Sequence, residues 1–314
     1  MTSSVRVGVL GVGYLGSIHA RIYSNMDDVE LVGVFDTNLD QAEEVAEACN
    51  CKAFGSAADM LGNVDAISVV VPTSLHLDMA KPFIEAGVHV LMEKPIAPSY
   101  EESLQLVEMA EKSGIVFQVG HLERFNAGVM ELADRVQDPR FIEVHRVGPF
   151  VARATDVDVV TDLMIHDIDI VMSLVKSPLK KISANGIPII TDHADIANAR
   201  LEFENGAVAS VMASRVSREP MRRIRIFEHK HYYNLDYVTQ QIDIAVAEPP
   251  KEGEVWAEIV ADKIDVEPVK PLDAELRAFV DTIRNGGTPL VSGRVGLEAV
   301  RVANIIGEKI AHVS

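Results

Sequence analysis

Only two cysteines occur in this chain, Cys49 and Cys51, and no third exists to pair with either. Side chains that close in sequence rarely bridge, so a disulfide framework is excluded and a reducing compartment is expected. Basic residues are also scarce: 29 Lys and Arg stand against 47 Asp and Glu, a formal charge of −18 at pH 7. A surface that acidic repels phosphate backbones at long range and argues against nucleic acid as a partner. It does not exclude a small anionic ligand, which a few local arginines or backbone N–H groups can hold. No apolar run approaches the roughly 18 residues of a membrane helix. Residues 1–4 carry neither a basic nor an apolar leader, so no signal peptide is expected and the chain reads as cytoplasmic. What is present is ordinary globular composition, 48% apolar and 24% charged over 314 residues, enough for two domains with sizeable cores.

Residues 1–122 alternate short apolar runs with helical patterns. Strands are expected at Val5–Leu10, Glu30–Phe35, Ala66–Val71, Val88–Met92 and Ile115–Val119, with a helix from the glycine turn through about Asn25 and further helices at Gln41–Cys49, Leu75–Ala86 and Ser99–Lys112. That order implies βαβ crossovers and a doubly wound parallel sheet, a Rossmann domain. After Gly120 the pattern changes. Helices at Ala127–Val136 and Thr161–Leu174 accompany strands near Phe141–Arg146, Lys181–Ile189, Ile196–Glu204, Ala207–Ser214 and Arg222–His229, with shorter strands following. Asn205-Gly206 is a hairpin turn signal. The fold class is therefore α/β: an N-terminal Rossmann domain over 1–122 and a C-terminal α+β domain over 123–271 with a mainly antiparallel open sheet. Helices within about 272–314 are expected to return to the first domain. The second is expected to bind substrate and form a homodimer or homotetramer through its sheet, since Ala207–Ser214 has apolar or small residues on both faces; the same strand reads alternatively as a small-residue strand with a partly solvated face.

The first strand runs into Gly11-Val12-Gly13-Tyr14-Leu15-Gly16, a G-x-G-x-x-G that opens a helix. Gly11 allows the tight turn, Gly13 the approach of a pyrophosphate, and Gly16 close helix–strand packing. The helix N-terminus supplies N–H groups and the positive end of its dipole. Asp36 closes the second strand, about 20 residues beyond the last glycine, where an acid bonds the adenosine ribose. A carboxylate there repels a 2′-phosphate and neither Thr37 nor Asn38 offers a counter-charge, so the cofactor is expected to be NAD. A second reading makes Asp36 a capping acid beside Asn38 and Asp40.

Two further segments fall at carboxyl ends of strands: Val71-Pro72-Thr73-Ser74 followed by His76, and Glu93-Lys94-Pro95. In the second domain Asp162 and His166 lie four apart, on one face of a helix, with Asp169 three further on. On an otherwise apolar helix, a histidine such as His166 is more often a core or capping residue than a catalyst. Metal binding is not expected, for lack of an H-E-x-x-H or a cysteine cluster. G-V-G-Y-L-G, P-T-S-L-H, E-K-P, D-L-M-I-H and the E-L-x-x-F-V-x-x-I-x-x-G-G-x-P-x-V of Glu275–Val291, in that order, resemble the glucose–fructose oxidoreductase / inositol dehydrogenase / rhizopine catabolism (Gfo/Idh/MocA) family. The resemblance implies that Lys94 and His166 handle a proton and that Asp162 orients His166 or substrate. It implies that Gly11, Gly13, Tyr14, Leu15, Asp36, Thr73, His76, Glu93 and Lys94 line the dinucleotide. One departure is that Asp158-Val159-Val160-Thr161 stands where many members have a glycine pair.

Gly120-His121-Leu122-Glu123-Arg124-Phe125-Asn126 is similar to the G-H-x-x-R-F-N-P of a subgroup that includes UDP-N-acetylglucosamine 3-dehydrogenases, with Ala127 in place of the proline. It places Arg124 and Asn126, with Asp162 and His166, among the residues expected to touch substrate. Arg124 reads alternatively as a structural ion pair, and Arg153 and Arg215 are further anion contacts of that double kind. The expected activity is NAD-dependent oxidation of a secondary alcohol of a sugar nucleotide, the 3-hydroxyl of a UDP-N-acetylhexosamine. The alternatives are an inositol or other free sugar/polyol dehydrogenase and a non-catalytic NAD-binding sensor.

Overall fold

The computed structural model describes residues 4–152 and 157–311. It divides into two compact units, one of residues up to Leu122 with Leu272–Val300, the other of Glu123–Pro271 with the residues from Arg301. The first begins β1 (Val5–Leu10), α1 (Tyr14–Ser24), β2 (Val29–Phe35), α2 (Leu39–Cys49) and β3 (Lys52–Ala53). It continues β4 (Ala66–Val69), α3 (His76–Glu85), β5 (His89–Glu93), α4 (Tyr100–Ser113) and β6 (Phe117–Gly120). All six strands are parallel, in the order β3-β2-β1-β4-β5-β6. β1 carries β2 on one side and β4 on the other, so the strand order reverses there, where open α/β sheets bind ligands. Every residue of β4 is buried, as expected of a strand covered on both faces. Local chemistry fixes the helices. Asn38 caps α2 by accepting the Gln41 N–H, and Ser99 caps α4 by accepting that of Glu102. Gly114 ends α4 at φ +68°, where a Cβ would be strained. β3 is a two-residue edge strand that the sequence pattern does not announce.

The second unit contains α5 (Ala127–Arg135), β7 (Phe141–Val147), a π-helical turn over Val160–Met164 and α6 (Ile165–Leu174). Seven strands follow: β8 (Leu179–Ile187), β9 (Ile196–Phe203), β10 (Val208–Ser214), β11 (Met221–Phe227), β12 (His231–Asp236), β13 (Gln241–Glu248) and β14 (Glu258–Ile264). With β7 they form one sheet in the order β14-β13-β12-β11-β7-β10-β9-β8. It is antiparallel throughout except that β7 and β10 run parallel. Ile142, Val144, Val211, Ile224 and Ile226 turn to one buried face, and α6 packs on β7 and β10. Each such side chain removed from water contributes about 1.5–3 kcal/mol. The hairpin between β9 and β10 turns at Gly206, φ +84°, with the Asn205 side chain accepting the Ala207 N–H. The regular helix expected from Thr161 is replaced over Val160–Met164 by the π turn, which carries Asp162.

Two helices end the chain, α7 (Pro271–Asn285) and α8 (Gly293–Ala311). Leu276, Phe279 and Val280 of α7 complete the core beneath β1 and β2. α8 is shared: its residues to Val300 belong to the first unit and those from Arg301 to the second. Ile310 packs on Gly186 of β8, where a Cβ would come within 2.9 Å of its Cδ1.

Candidate functional site

The glycine turn leaves the carboxyl end of β1 with three glycines serving three distinct purposes. Gly11 sits at φ +84°, and a Cβ there would lie 2.6 Å from the Val70 carbonyl oxygen. A Cβ on Gly16 would fall 1.8 Å from the Gly11 carbonyl oxygen, so α1 approaches the turn as only glycine allows. Gly13 is different: a Cβ would meet nothing within 4 Å. Gly13 is also the N-cap of α1, with no side chain bonded to the first-turn N–H groups. The turn therefore offers open space in front of uncapped donors at a helix N-terminus, which fits a dinucleotide pyrophosphate. Asp36, at the end of β2, accepts the Val12 N–H through Oδ2 at 2.8 Å and the Asn38 N–H through Oδ1 at 2.9 Å. It braces the glycine turn while its half-exposed carboxylate keeps lone pairs for ribose hydroxyls. Tyr14 is 86% exposed at the head of α1 and Leu15 is half-buried beside it, an apolar rim of the kind an adenine or nicotinamide ring covers.

At the next strand ends the residues divide by role. Thr73 begins a 3-10 turn after β4 and is half-buried. His76 is expected to line the dinucleotide; instead its ring is buried, with Nδ1 3.0 Å from the Ile96 carbonyl and Nε2 3.0 Å from that of Val71. Burial, outweighing these contacts, holds its pKa below the ordinary value. His76 thus ties the turn after β4 to the loop after β5. Glu93 and Lys94 end β5, joined to Pro95 by a cis peptide. The Lys94 N–H donates to Glu93 Oε2 at 3.3 Å, and Glu93 Oε1 lies 3.4 Å from Nε2 of the fully buried His19. The Glu93 carboxylate rests against Gly120, where a Cβ would come within 2.9 Å of it. Near it is Glu275 of α7, whose carboxyl is fully buried with no hydrogen-bond partner. Burial first, and then the Glu93 charge, push the Glu275 acid well above the usual carboxyl range. The sequence does not announce His19, nor that Gly120 and Glu275, each the first residue of a motif, lie against Glu93.

In the second unit Asp158 Oδ1 accepts the N–H groups of Val160 and Thr161 at 2.8 and 2.9 Å, capping the π turn that carries Asp162. Asp162 and His166 are both half-buried, on the turn and on the first residues of α6. Behind them α6 is anchored by charge. Asp167, fully buried, takes a two-pronged bond from Arg146 at 2.8 and 2.9 Å, and Arg146 also reaches Glu123 at 3.3 Å. Burial works against the Arg146 charge, but Asp167 and Glu123 outweigh it and hold the guanidinium above its ordinary pKa.

Asp169 is buried and receives Arg124 Nη1 at 3.4 Å, so the ion-pair reading of Arg124 describes its contact in the structure. Asn126, expected to touch substrate, is 2% exposed; it caps α5 by accepting the Gly128 N–H and donates to the Tyr237 carbonyl. Both ends of its amide are engaged within the fold. Arg215 is bound by Asp195, Thr191 and the Val157 carbonyl. Asp195 itself lies well below the ordinary carboxylate pKa: burial opposes this, but three backbone N–H groups and Arg215 prevail. Arg153 lies outside the described residues. Cys49 and Cys51 are unbridged, the Cys51 thiol pushed up to about 11 by burial and then by Cys49. No cluster of three or more His, Cys, Asp or Glu suited to a metal ion exists among the described residues.

Comparison with known proteins agrees with this chemistry. A model of an oxidoreductase family with an NAD-binding Rossmann fold, Gfo/Idh/MocA, matches residues 5–121, and the Gfo/Idh/MocA C-terminal domain matches residues 134–232. The chain is 41% identical over 241 residues to UDP-N-acetylglucosamine 3-dehydrogenase of Acidithiobacillus ferrooxidans, covering 76% of each chain. A solved structure of the enzyme of that name from the same organism superposes with a TM-score of 0.91, at 35% identity and 98% coverage of both chains. The scyllo-inositol 2-dehydrogenase of Bacillus subtilis is 27% identical over 93% of this chain and 90% of its own. The uncapped glycine turn, Asp36, and the ordered E-K-P and D-x-x-x-H segments thus have one explanation: the chain belongs to the Gfo/Idh/MocA family of oxidoreductases and carries its NAD-binding Rossmann fold.

Proposed function

We propose that this oxidoreductase removes hydride from C3 of a UDP-N-acetylhexosamine, giving the 3-keto sugar nucleotide and NADH. The observation that carries the reading is the likeness to the Acidithiobacillus enzyme along 98% of both chains. Bound NAD supplies the hydride acceptor; the chain's own residues handle the rest. Gly13 and the first turn of α1 hold the pyrophosphate and Asp36 the ribose. His166, whose side-chain type titrates near neutrality, takes the proton of the reacting hydroxyl, with Lys94 as the second proton-handling group. Asp162 orients the imidazole or a neighbouring hydroxyl.

The test is reduction of NAD against a panel of UDP-sugars, free sugars and inositols. Turnover of UDP-N-acetylglucosamine or its epimer, competed by UDP, supports the reading. Turnover confined to inositols would favour the second reading, to which the full-length likeness to scyllo-inositol 2-dehydrogenase lends weight.

The outer face of the eight-stranded sheet supports assembly as a homodimer or homotetramer. Phe141, Phe227 and Tyr232 lie side by side across β7, β11 and β12, with ring centroids 5.8 and 4.9 Å apart, and both phenylalanines are exposed. On β10, Ala209, Val211 and Ala213 are buried, while Val208, Ser210 and Met212 on the opposite face are half-exposed. Light scattering on the purified protein tests this. Among the described residues no helix is long and apolar enough to cross a membrane, and a cytoplasmic site of action accords with the paucity of cysteine.

A further inference from the structure

A cavity of about 160 Å³ opens in the second unit where β7 and β10 end and β11 begins, lined by Arg146, Asp162, Ser214, Arg215 and Arg222. It is smaller than the roughly 300–1,000 Å³ that encloses a whole drug-sized ligand, so it holds one group of a ligand and not all of it. Three guanidiniums in the wall of a protein with a formal charge of −18 call for an explanation.

Two of the three are already neutralised. Arg146 is 5% exposed and bound by Asp167 and Glu123; Arg215 is 6% exposed and bound by Asp195. Arg222 differs from both. It stands opposite Arg146 in the β7–β11 register and shares the strand face of Ile224 and Ile226, which turn inward. It is therefore on the helix-covered side of the sheet, at its rim, and exposed. No carboxylate among the described residues forms an ion pair with it. The fixed neighbours hold the cavity's shape, and Arg222, which acts on the buried Asp167 charge only through space, is the one of the three guanidiniums without an ion pair among the described residues. Asp162, on the same wall, is the residue assigned above to the sugar or to His166.

We infer that Arg222 is the cation that binds the diphosphate of the sugar nucleotide, with its guanidinium aimed into the cavity that Asp162 also lines. This rests on the proposed function and sharpens it. The anion-reading residue is Arg222 on β11, and not Arg124, which is only 12% exposed and paired with Asp169. A guanidinium gives a planar, two-pronged match to phosphate oxygens, and one that no carboxylate holds in an ion pair keeps its donors free to meet an anion. A phosphate contact remote from the reacting carbon binds ground state and transition state alike, so its loss appears in KM and not in kcat.

The experiment compares wild type, Arg222→Ala and Arg222→Lys, each saturated with NAD, using UDP-N-acetylglucosamine as substrate and UDP as a calorimetric probe. For Arg222→Ala, KM should rise about 10–100-fold and UDP binding weaken in parallel, with kcat within about twofold and the KM for NAD unchanged. Arg222→Lys should recover part of the loss by restoring the charge without the two-pronged geometry. Unchanged KM and UDP affinity in Arg222→Ala, with wild-type turnover intact, would overturn this inference and leave the proposed function standing. Failure of wild type to bind UDP or oxidise any UDP-sugar would overturn both.

Discussion

Gly13 and Gly16 lie three residues apart in one turn, yet the geometry assigns them opposite consequences on gaining a methyl group. In Gly16→Ala the new Cβ would fall 1.8 Å from the Gly11 carbonyl oxygen and 2.9 Å from its carbon, both backbone atoms that no side-chain rotation can clear. The head of α1 must move off the turn, at about 1–3 kcal/mol as for other overpacked sites. At about 2–4 °C per kcal/mol for domains of 150–250 residues, the melting temperature should fall by several degrees. In Gly13→Ala the methyl meets nothing within 4 Å, and the backbone, φ −63°, is one that alanine adopts. Stability should stay within about 1 kcal/mol of wild type, with a small gain possible from a less flexible unfolded chain. The methyl projects instead into the space in front of the first-turn N–H groups. NAD affinity should then drop about 10–100-fold, equivalent to about 1.4–2.7 kcal/mol. Thermal unfolding without cofactor and titration of NAD by quenching of intrinsic fluorescence separate the two effects. If Gly13→Ala bound NAD normally, or destabilised the free protein as much as Gly16→Ala, the assignment of the turn as the pyrophosphate cradle would be refuted.

Other consequences follow from individual residues. Asp36→Ala removes both the ribose acceptor and the brace on the Val12 N–H, so the KM for NAD should rise about tenfold or more while that for NADP falls, read from initial rates with each cofactor. Glu275 has a folded-state pKa raised by burial, so between the ordinary glutamate pKa and that raised value the native state binds more protons than the unfolded one. Its contribution is fully present below the unfolded pKa and is lost as pH rises through the folded one. Glu275→Gln, uncharged at every pH, should therefore flatten the decline of melting temperature with rising pH, and an unchanged slope would count against the neutral acid. Arg146→Leu leaves Asp167 buried without its partner and should cost about 3–5 kcal/mol in chemical denaturation, whereas Arg146→Leu with Asp167→Leu should regain most of it.

The parallel sheet was readable in advance because its strands are nearly continuous apolar runs separated by amphipathic helices, as at Ala66–Val69 and Val88–Met92. β3 escaped because Lys52-Ala53 is too short to show a period and pairs with β2 alone. β12 and β13 are legible in the sequence only as unspecified short strands, although Tyr233 and Leu235, and Ile242 and Ile244, alternate with polar residues along them. The parallel pairing of β7 with β10 joins segments more than 60 residues apart and leaves no local trace. In the candidate site, residue type and order single out Asp36, Lys94, Asp162 and His166 as candidates, because strand ends and short sequence spacings are local properties. Type alone does not reveal what a side chain finally bonds. Asn126 and His76 have the chemistry to meet a ligand, but the fold supplies each with backbone partners first. Arg222 has no motif around it; its significance emerges only once Arg146 and Arg215 are seen to be neutralised beside it.

The central claim is that hydride leaves C3 of a UDP-N-acetylhexosamine, and isotope transfer tests it most directly. UDP-N-acetylglucosamine carrying deuterium at C3, and separately at C4, is incubated with the protein and NAD, and the reduced nicotinamide is analysed by mass spectrometry. The account predicts deuterated NADH from the C3-labelled substrate alone, with transfer abolished in His166→Ala. Unlabelled NADH from the C3-deuterated sugar, or label arriving from C4, would contradict it.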